Sequence, residues 1–196
     1  MIKRSALVVC CGAVLLGNAM AQDAVAAEAA VDKAALVEEA KGAVMALGSS
    51  LQGELKAALE AGGPVNAIDV CHSKAPELAR QVSQEKNFTV TRVSLKNRNP
   101  VMGEPNDWQQ AVLEDFEARR AAGEDPKPMA YADVVDGEFR FMKAIPTQAV
   151  CLKCHGVTLA PDLAAKIAKL YPADEATGFS EGDIRGAFVV TRDLSK

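Results

Sequence analysis

Tyr131-Ala132-Asp133-Val134-Val135-Asp136-Gly137-Glu138-Phe139-Arg140-Phe141-Met142-Lys143-Ala144-Ile145 decides the fold. Two runs rich in β-branched and aromatic residues flank Asp136-Gly137, and that dipeptide readily takes the left-handed backbone of a tight antiparallel turn. The stretch therefore predicts a β-hairpin with arms Tyr131 to Val135 and Glu138 to Ile145. Downstream, the second arm runs through Pro146 to Cys151-Leu152-Lys153-Cys154-His155, then to a short helix over Asp162 to Leu170 and a last strand over Asp183 to Asp193. Upstream, Pro126 and Pro128 form a linker. Before it lies a helix over Trp108 to Ala122, whose apolar side is Val112, Leu113 and Phe116. A loop rich in Asn and Pro covers Lys96 to Asp107, and Phe88 to Leu95 alternates as a strand.

The amino-terminal third reads differently. Val44, Leu47, Leu51, Leu55 and Ala58 recur at three and four residues, which predicts an amphipathic helix from about Val31 to Glu60. Gly62-Gly63 ends it and Pro64 suits the first turn of a second helix. Pro76 should kink or restart that helix, with Ser73 as a cap. Long helices followed by antiparallel strands with helices between them give an α+β class. The aromatic content of 5% argues against an all-β sandwich.

Met1 to Ala21 has the form of a secretory signal: Lys3 and Arg4, an apolar run from Ala6 to Leu16, and an Ala19-Met20-Ala21 cleavage site. The expectation is a periplasmic protein cut near Ala21, with residues 22–196 forming one domain of about 175 residues. No later stretch approaches the roughly 20 apolar residues that span a bilayer. Cleavage leaves 20 basic side chains (22 less Lys3 and Arg4) against 26 acidic ones, which disfavours nucleic acid as a partner.

Cys151-Leu152-Lys153-Cys154-His155 is a C-x-x-C-H motif in this exported context. Thiols at that spacing can add across the two vinyl groups of a haem, and the adjacent imidazole then becomes an axial ligand. Zinc is disfavoured because no second C-x-x-C closes a four-ligand site, and a thioredoxin-like dithiol because no βαβ unit surrounds the pair. The motif predicts one haem c, attached through Cys151 and Cys154 and ligated by His155.

The other side of the iron is open to Cys71, His72, Met45, Met102, Met129, Met142 or water. With 100° per residue, Cys71 falls at the centre of an apolar helix face beside Ala67 and Ile68, and His72 falls on its flank. Cys71 is also the cysteine left over once the motif pair is used, and iron stabilises a thiolate that burial disfavours. Cys71 is thus the leading candidate. Arg92, Lys96 and Arg98 cluster near the end of the first strand, and one of Arg92 and Arg98 is expected on a haem propionate, to which a planar guanidinium is suited. Trp108 and Tyr131 are expected to be packing residues.

Four blocks in order, Asn66 to Cys71, Arg92-Val93-Ser94-Leu95-Lys96-Asn97-Arg98-Asn99-Pro100, Phe139 to Pro146, and Cys151 to Gly156, resemble the PAS-like single-haem c-type domains of exported bacterial proteins and of the sensory ends of some histidine kinases. The resemblance implies a PAS-like or cache-like antiparallel sheet flanked by helices. It also implies a haem held by Cys151 and Cys154 with His155 and Cys71 as axial ligands.

The functional expectation is a redox or diatomic-gas sensor. Reduction would weaken the iron–sulfur bond, and output would pass through a partner protein because no transmitter segment follows Lys196. A periplasmic single-electron carrier is the alternative. A haem enzyme such as a peroxidase is disfavoured, since it needs a distal acid–base residue and His72 is the only spare histidine.

Overall fold

The computed structural model describes residues 32–195; the signal expected over residues 1–21 lies outside them. Four strands, β1 (Thr89–Val93), β2 (Ala130–Val135), β3 (Glu138–Pro146) and β4 (Ile184–Asp193), make one antiparallel sheet in the order β1-β4-β3-β2. The hairpin forms as expected. Asp136 and Gly137 take φ of 52° and 77°, and Val135 pairs with Glu138 across the turn.

Helix α1 spans Lys33–Lys86 and is broken only at Gly62 and Gly63. Gly63 has φ 71°, a backbone state that costs glycine little. The expected interruption at Pro76 does not occur. The helix runs through Pro76, and Ser73 caps nothing; its hydroxyl donates backward to the carbonyls of Asp69 and Val70 at 3.1 and 3.3 Å. Pro76 removes the helical partner of one carbonyl, that of His72, and His72 is exposed, so water can take the missing donor's place.

The expected loop over Lys96 to Asp107 contains one helical turn, α2 (Pro100–Gly103), where Asn99 accepts from the Val101 amide at 3.2 Å. Helix α3 (Asp107–Ala121) opens with a reciprocal cap between Asn106 and Gln109. Downstream, the one-turn helix α4 (Leu152–His155) carries the C-x-x-C-H motif, and α5 (Pro161–Leu170) follows it.

The sheet is covered on both faces. On one, Phe139 and Phe141 of β3 and Val90 of β1 pack with Leu36, Ala40 and Leu47 of α1. On the other, Met142, Ala187 and Val189 pack with Val112, Leu113 and Phe116 of α3. Complete burial of each phenylalanine contributes about 1.5–3 kcal/mol, so β3, buried on both faces, is the centre of the fold. A third, smaller cluster joins Ile68 of α1 to Leu163 and Ile167 of α5.

One irregularity positions the site. Ala144 pairs with Ala187 and Pro146 with Ile184, so Arg185 and Gly186 together oppose Ile145. Ile184 and Ala187 both face the α3 side although they stand three positions apart. This bulge turns Arg185 to the α1 side. Gly186 adopts φ 140° there, and the carbonyl of Arg185 accepts from the Ser94 hydroxyl at 2.9 Å.

Candidate functional site

Cys71 is partly buried on α1, beside buried Ala67 and Ile68, as the helical phase requires. Cys151 closes a 3-10 turn over Ala149–Cys151, and Cys154 and His155 follow on α4. Cys71, Cys154, Arg92, Arg98, Arg185 and Tyr171 are close enough to act on one another electrostatically. Burial pushes the Cys71 thiol up; Arg92, Arg98 and Arg185 oppose that, and Glu54 adds to it. Burial likewise raises the Cys154 thiol against the pull of Arg98. Cys71, Cys151 and Cys154 are all free thiols.

The His155 ring is fixed by its surroundings. Its Nδ1 lies 2.7 Å from the Ala176 carbonyl, which can only accept, so Nδ1 carries the proton and Nε2 keeps its lone pair. Burial, aided by the charges of Arg185 and Arg98, pushes the imidazole down to about 3. The ring is therefore neutral at physiological pH, the state a metal ligand requires.

Arg98 holds this arrangement in place. Its Nε donates to Asp174 at 3.0 Å, and its Nη2 donates to the Cys154 carbonyl at 2.6 Å and the Ala176 carbonyl at 3.2 Å. Asp174 in turn accepts from the Ala176 amide at 3.0 Å. The 176–179 segment is then zipped to the motif by Gly178 N–H to the Gly156 carbonyl and Phe179 N–H to the His155 carbonyl, both 3.0 Å. Arg98 thus clamps the C-x-x-C-H loop, and these donors are committed to protein groups.

Arg92 and Arg185 differ. Neither pairs with a carboxylate among the described residues, although both are half-buried. Burial, with Arg185 adding its like charge, pulls the Arg92 guanidinium down to about 10. Burial also lowers Arg185, which hydrogen-bonds the Cys151 sulfur and whose Nε is sealed from solvent without a partner. Two like charges side by side and half withdrawn from water repel one another.

The other sequence candidates fall elsewhere. His72 projects from the exposed flank of α1 and meets Tyr171 edge to face at 5.1 Å. Met129 and Met142 fill the core on the α3 side of the sheet, whereas Met45 and Met102 are exposed. Lys96 lies over the Phe179 ring at 5.5 Å rather than with the arginines. Trp108 and Tyr131 pack against the α3-side core as expected. The sequence reading missed Arg185, Asp174, Ala176 and Phe179. Gly186 inside a strand pattern was the one local signal, because an isolated glycine there marks a bulge.

A broken helix and a bulged antiparallel sheet thus bring a neutral histidine, three thiols and the guanidiniums of Arg92, Arg98 and Arg185 together in an α+β protein. The chain belongs to the Tll0287-like family, whose model matches residues 20–192. Among solved structures it is similar to the cyanobacterial heme-protein Tll0287, with 25% identity over 79% of this chain and 95% of that one and a TM-score of 0.59. A comparison with curated proteins finds no match.

Proposed function

We propose that this chain is an exported haem protein whose single haem c is bound through Cys151 and Cys154, with His155 and Cys71 as axial ligands, and that it senses redox state or a diatomic gas on behalf of a partner protein. The similarity to a heme-protein supports the cofactor, and the PAS-like resemblance of the four sequence blocks supports this form of it. One observation carries the reading: the free thiol of Cys71 comes to the C-x-x-C-H motif from a distant helix, where His155 is held neutral with Nε2 unprotonated.

The residues fit the group. Cys151 and Cys154 are free to form thioethers, and the unpaired Arg92 and Arg185, with an orphaned Nε, call for an anion that the described residues do not supply. When bound, the haem supplies an iron that takes up one electron and can accept diatomic ligands. Ala176 and Arg98 hold the orientation of His155, and Ala67 and Ile68 exclude water from the helix face that presents Cys71. No described helix is long and apolar enough to cross a membrane.

A single-electron carrier is the second reading, favoured by Val150 and Val157, which flank the motif with 45% and 78% of their surface exposed. An apolar rim of that kind suits brief docking. The test is haem staining after denaturing electrophoresis, followed by ferric and ferrous spectra of wild type and Cys71→Ser. A stained band and a changed ferric spectrum are expected; a colourless band or an unchanged spectrum defeats the assignment. Fast reversible electrochemistry with identical ligation in both states would select the carrier.

A further inference from the structure

The carbonyl of Ala176 serves two donors. His155 Nδ1 lies 2.7 Å from it and Arg98 Nη2 donates to it at 3.2 Å, so both lone pairs of one oxygen are engaged. The second donor is charged and firmly held. Asp174 accepts from Arg98 Nε at 3.0 Å and from Nη2 at 3.3 Å, the two side chains are only 15% and 9% exposed, and the same carboxylate accepts from the Ala176 amide at 3.0 Å. The backbone joins the two segments as well, because the Glu175 N–H donates to the Asn97 carbonyl at 3.0 Å. A cation and its counter-ion are thus fixed beside the one group that orients the histidine.

Two donors on one oxygen compete. Each draws electron density from the carbonyl, so the Arg98 contact makes it a poorer acceptor for the His155 N–H, and a weaker bond there leaves the imidazole a weaker donor through Nε2. Asp174 acts in the opposite sense, since its negative charge moderates the guanidinium. We propose that Arg98 and Asp174 are positioning residues which, by sharing the Ala176 carbonyl with His155, limit electron donation by that histidine and raise the reduction potential of the site. The inference rests on the axial role of His155 proposed above and not on that of Cys71. Reduction adds one electron to the iron and moves no proton, so a less donating imidazole favours the reduced form.

The experiment is a potentiometric titration of the purified holoprotein, with dithionite as reductant, ferricyanide as oxidant and soluble mediators, read by visible absorption. The double substitution Arg98→Gln with Asp174→Asn removes the ion pair without changing net charge, and the amide that replaces Asp174 can still accept from the Ala176 N–H. It should lower the reduced-to-oxidised ratio at fixed potential about threefold, equivalent to about 28 mV for a one-electron couple. Asp174→Asn alone should raise the ratio, because the guanidinium is then unopposed. Arg98→Lys should stay close to wild type, since an ammonium can donate to the same carbonyl, and Arg119→Gln on α3 should shift nothing. A double variant at or above the wild-type potential overturns the proposal, and so does an Arg98→Lys potential as low as that of the double variant, which would mark a packing role. Should the double variant fail to accumulate, Asp174→Asn alone decides, and an unchanged or lowered ratio refutes the inference. A colourless band after denaturing electrophoresis refutes the haem reading and this inference with it, whereas a stained band with either potential just named refutes the inference alone.

Discussion

Gly186→Ala is the substitution that most directly tests how the sheet builds the site. A Cβ at this position would lie 2.3 Å from the Val93 carbonyl oxygen and 3.1 Å from the Ser94 Cβ. The nearer atom is backbone in the paired strand, so relief requires β1 and β4 to separate rather than a side chain to turn. The glycine also holds φ 140°, where an L side chain is strained by about 1–3 kcal/mol. Overpacking against a fixed neighbour adds about 1–3 kcal/mol. Together these give a loss of about 4 kcal/mol, or roughly 10 °C in Tm for a chain of this size. Differential scanning calorimetry at neutral pH measures it. Gly42→Ala is the control: nothing lies within 4 Å of its new Cβ, and alanine in a helix interior should add about 0.5–1 kcal/mol. A Gly186→Ala protein melting within about 2 °C of wild type would show that the bulge is not the constrained element described here. Its ferric spectrum should change as well, because closing the bulge returns Arg185 toward the α3 side.

Two further outcomes follow from charged groups. Asp174→Asn leaves the Arg98 guanidinium without its counter-ion in a pair whose side chains are only 15% and 9% exposed; it should cost about 3 kcal/mol in urea unfolding, and a loss below about 1 kcal/mol would mean that water already solvates the clamp. Glu117 has its carboxyl raised by burial first and by Asp183 second, against Lys96 and Arg120. The folded state therefore binds this proton more tightly than the unfolded one, so the penalty is absent below the ordinary value of 4.5 and fully present above the raised folded value. Glu117→Gln should accordingly raise stability at pH 7 by at most about 1 kcal/mol after screening, and show no gain below pH 4.5; an equal gain at both pH values contradicts this account.

The elements with local signatures were legible. Asp136-Gly137 announced its hairpin because a two-residue turn depends on its own two residues, and Gly62-Gly63 announced the break because no other residue type competes for that backbone. Pro76 misled for the same local reason: its missing donor usually ends a helix, but here the orphaned carbonyl faces solvent and the flanking turns are held by Ile68 and Leu78 in two separate clusters. Cys71, the motif cysteines and His155 were legible from type, phase and spacing. One of Arg92 and Arg98 was expected on a propionate; the donors of Arg98 go to partners 56 to 78 residues away, a distance no window along the chain can read.

What the sequence conceals is therefore the electrostatic half of the site, and the reason is topological. Arg92 and Arg185 stand 93 positions apart in the chain and meet only because β4, the last strand, inserts between β3 and β1. Had β4 joined the β2 edge, Arg185 would lie beyond the hairpin and Cys71 would keep only Arg92 and Arg98 of its three guanidiniums. The strand order and one bulge thus convert two unremarkable arginines into a concentrated positive charge beside a cysteine thiol. The C-x-x-C-H motif follows β3, the most deeply buried strand, so under the proposed attachment the motif side is a fixed support. Under the proposed ligation, the residues 64–86 half of α1, which carries Cys71 and is joined to the first half through Gly62 and Gly63, is the element best placed to shift with a change at that sulfur.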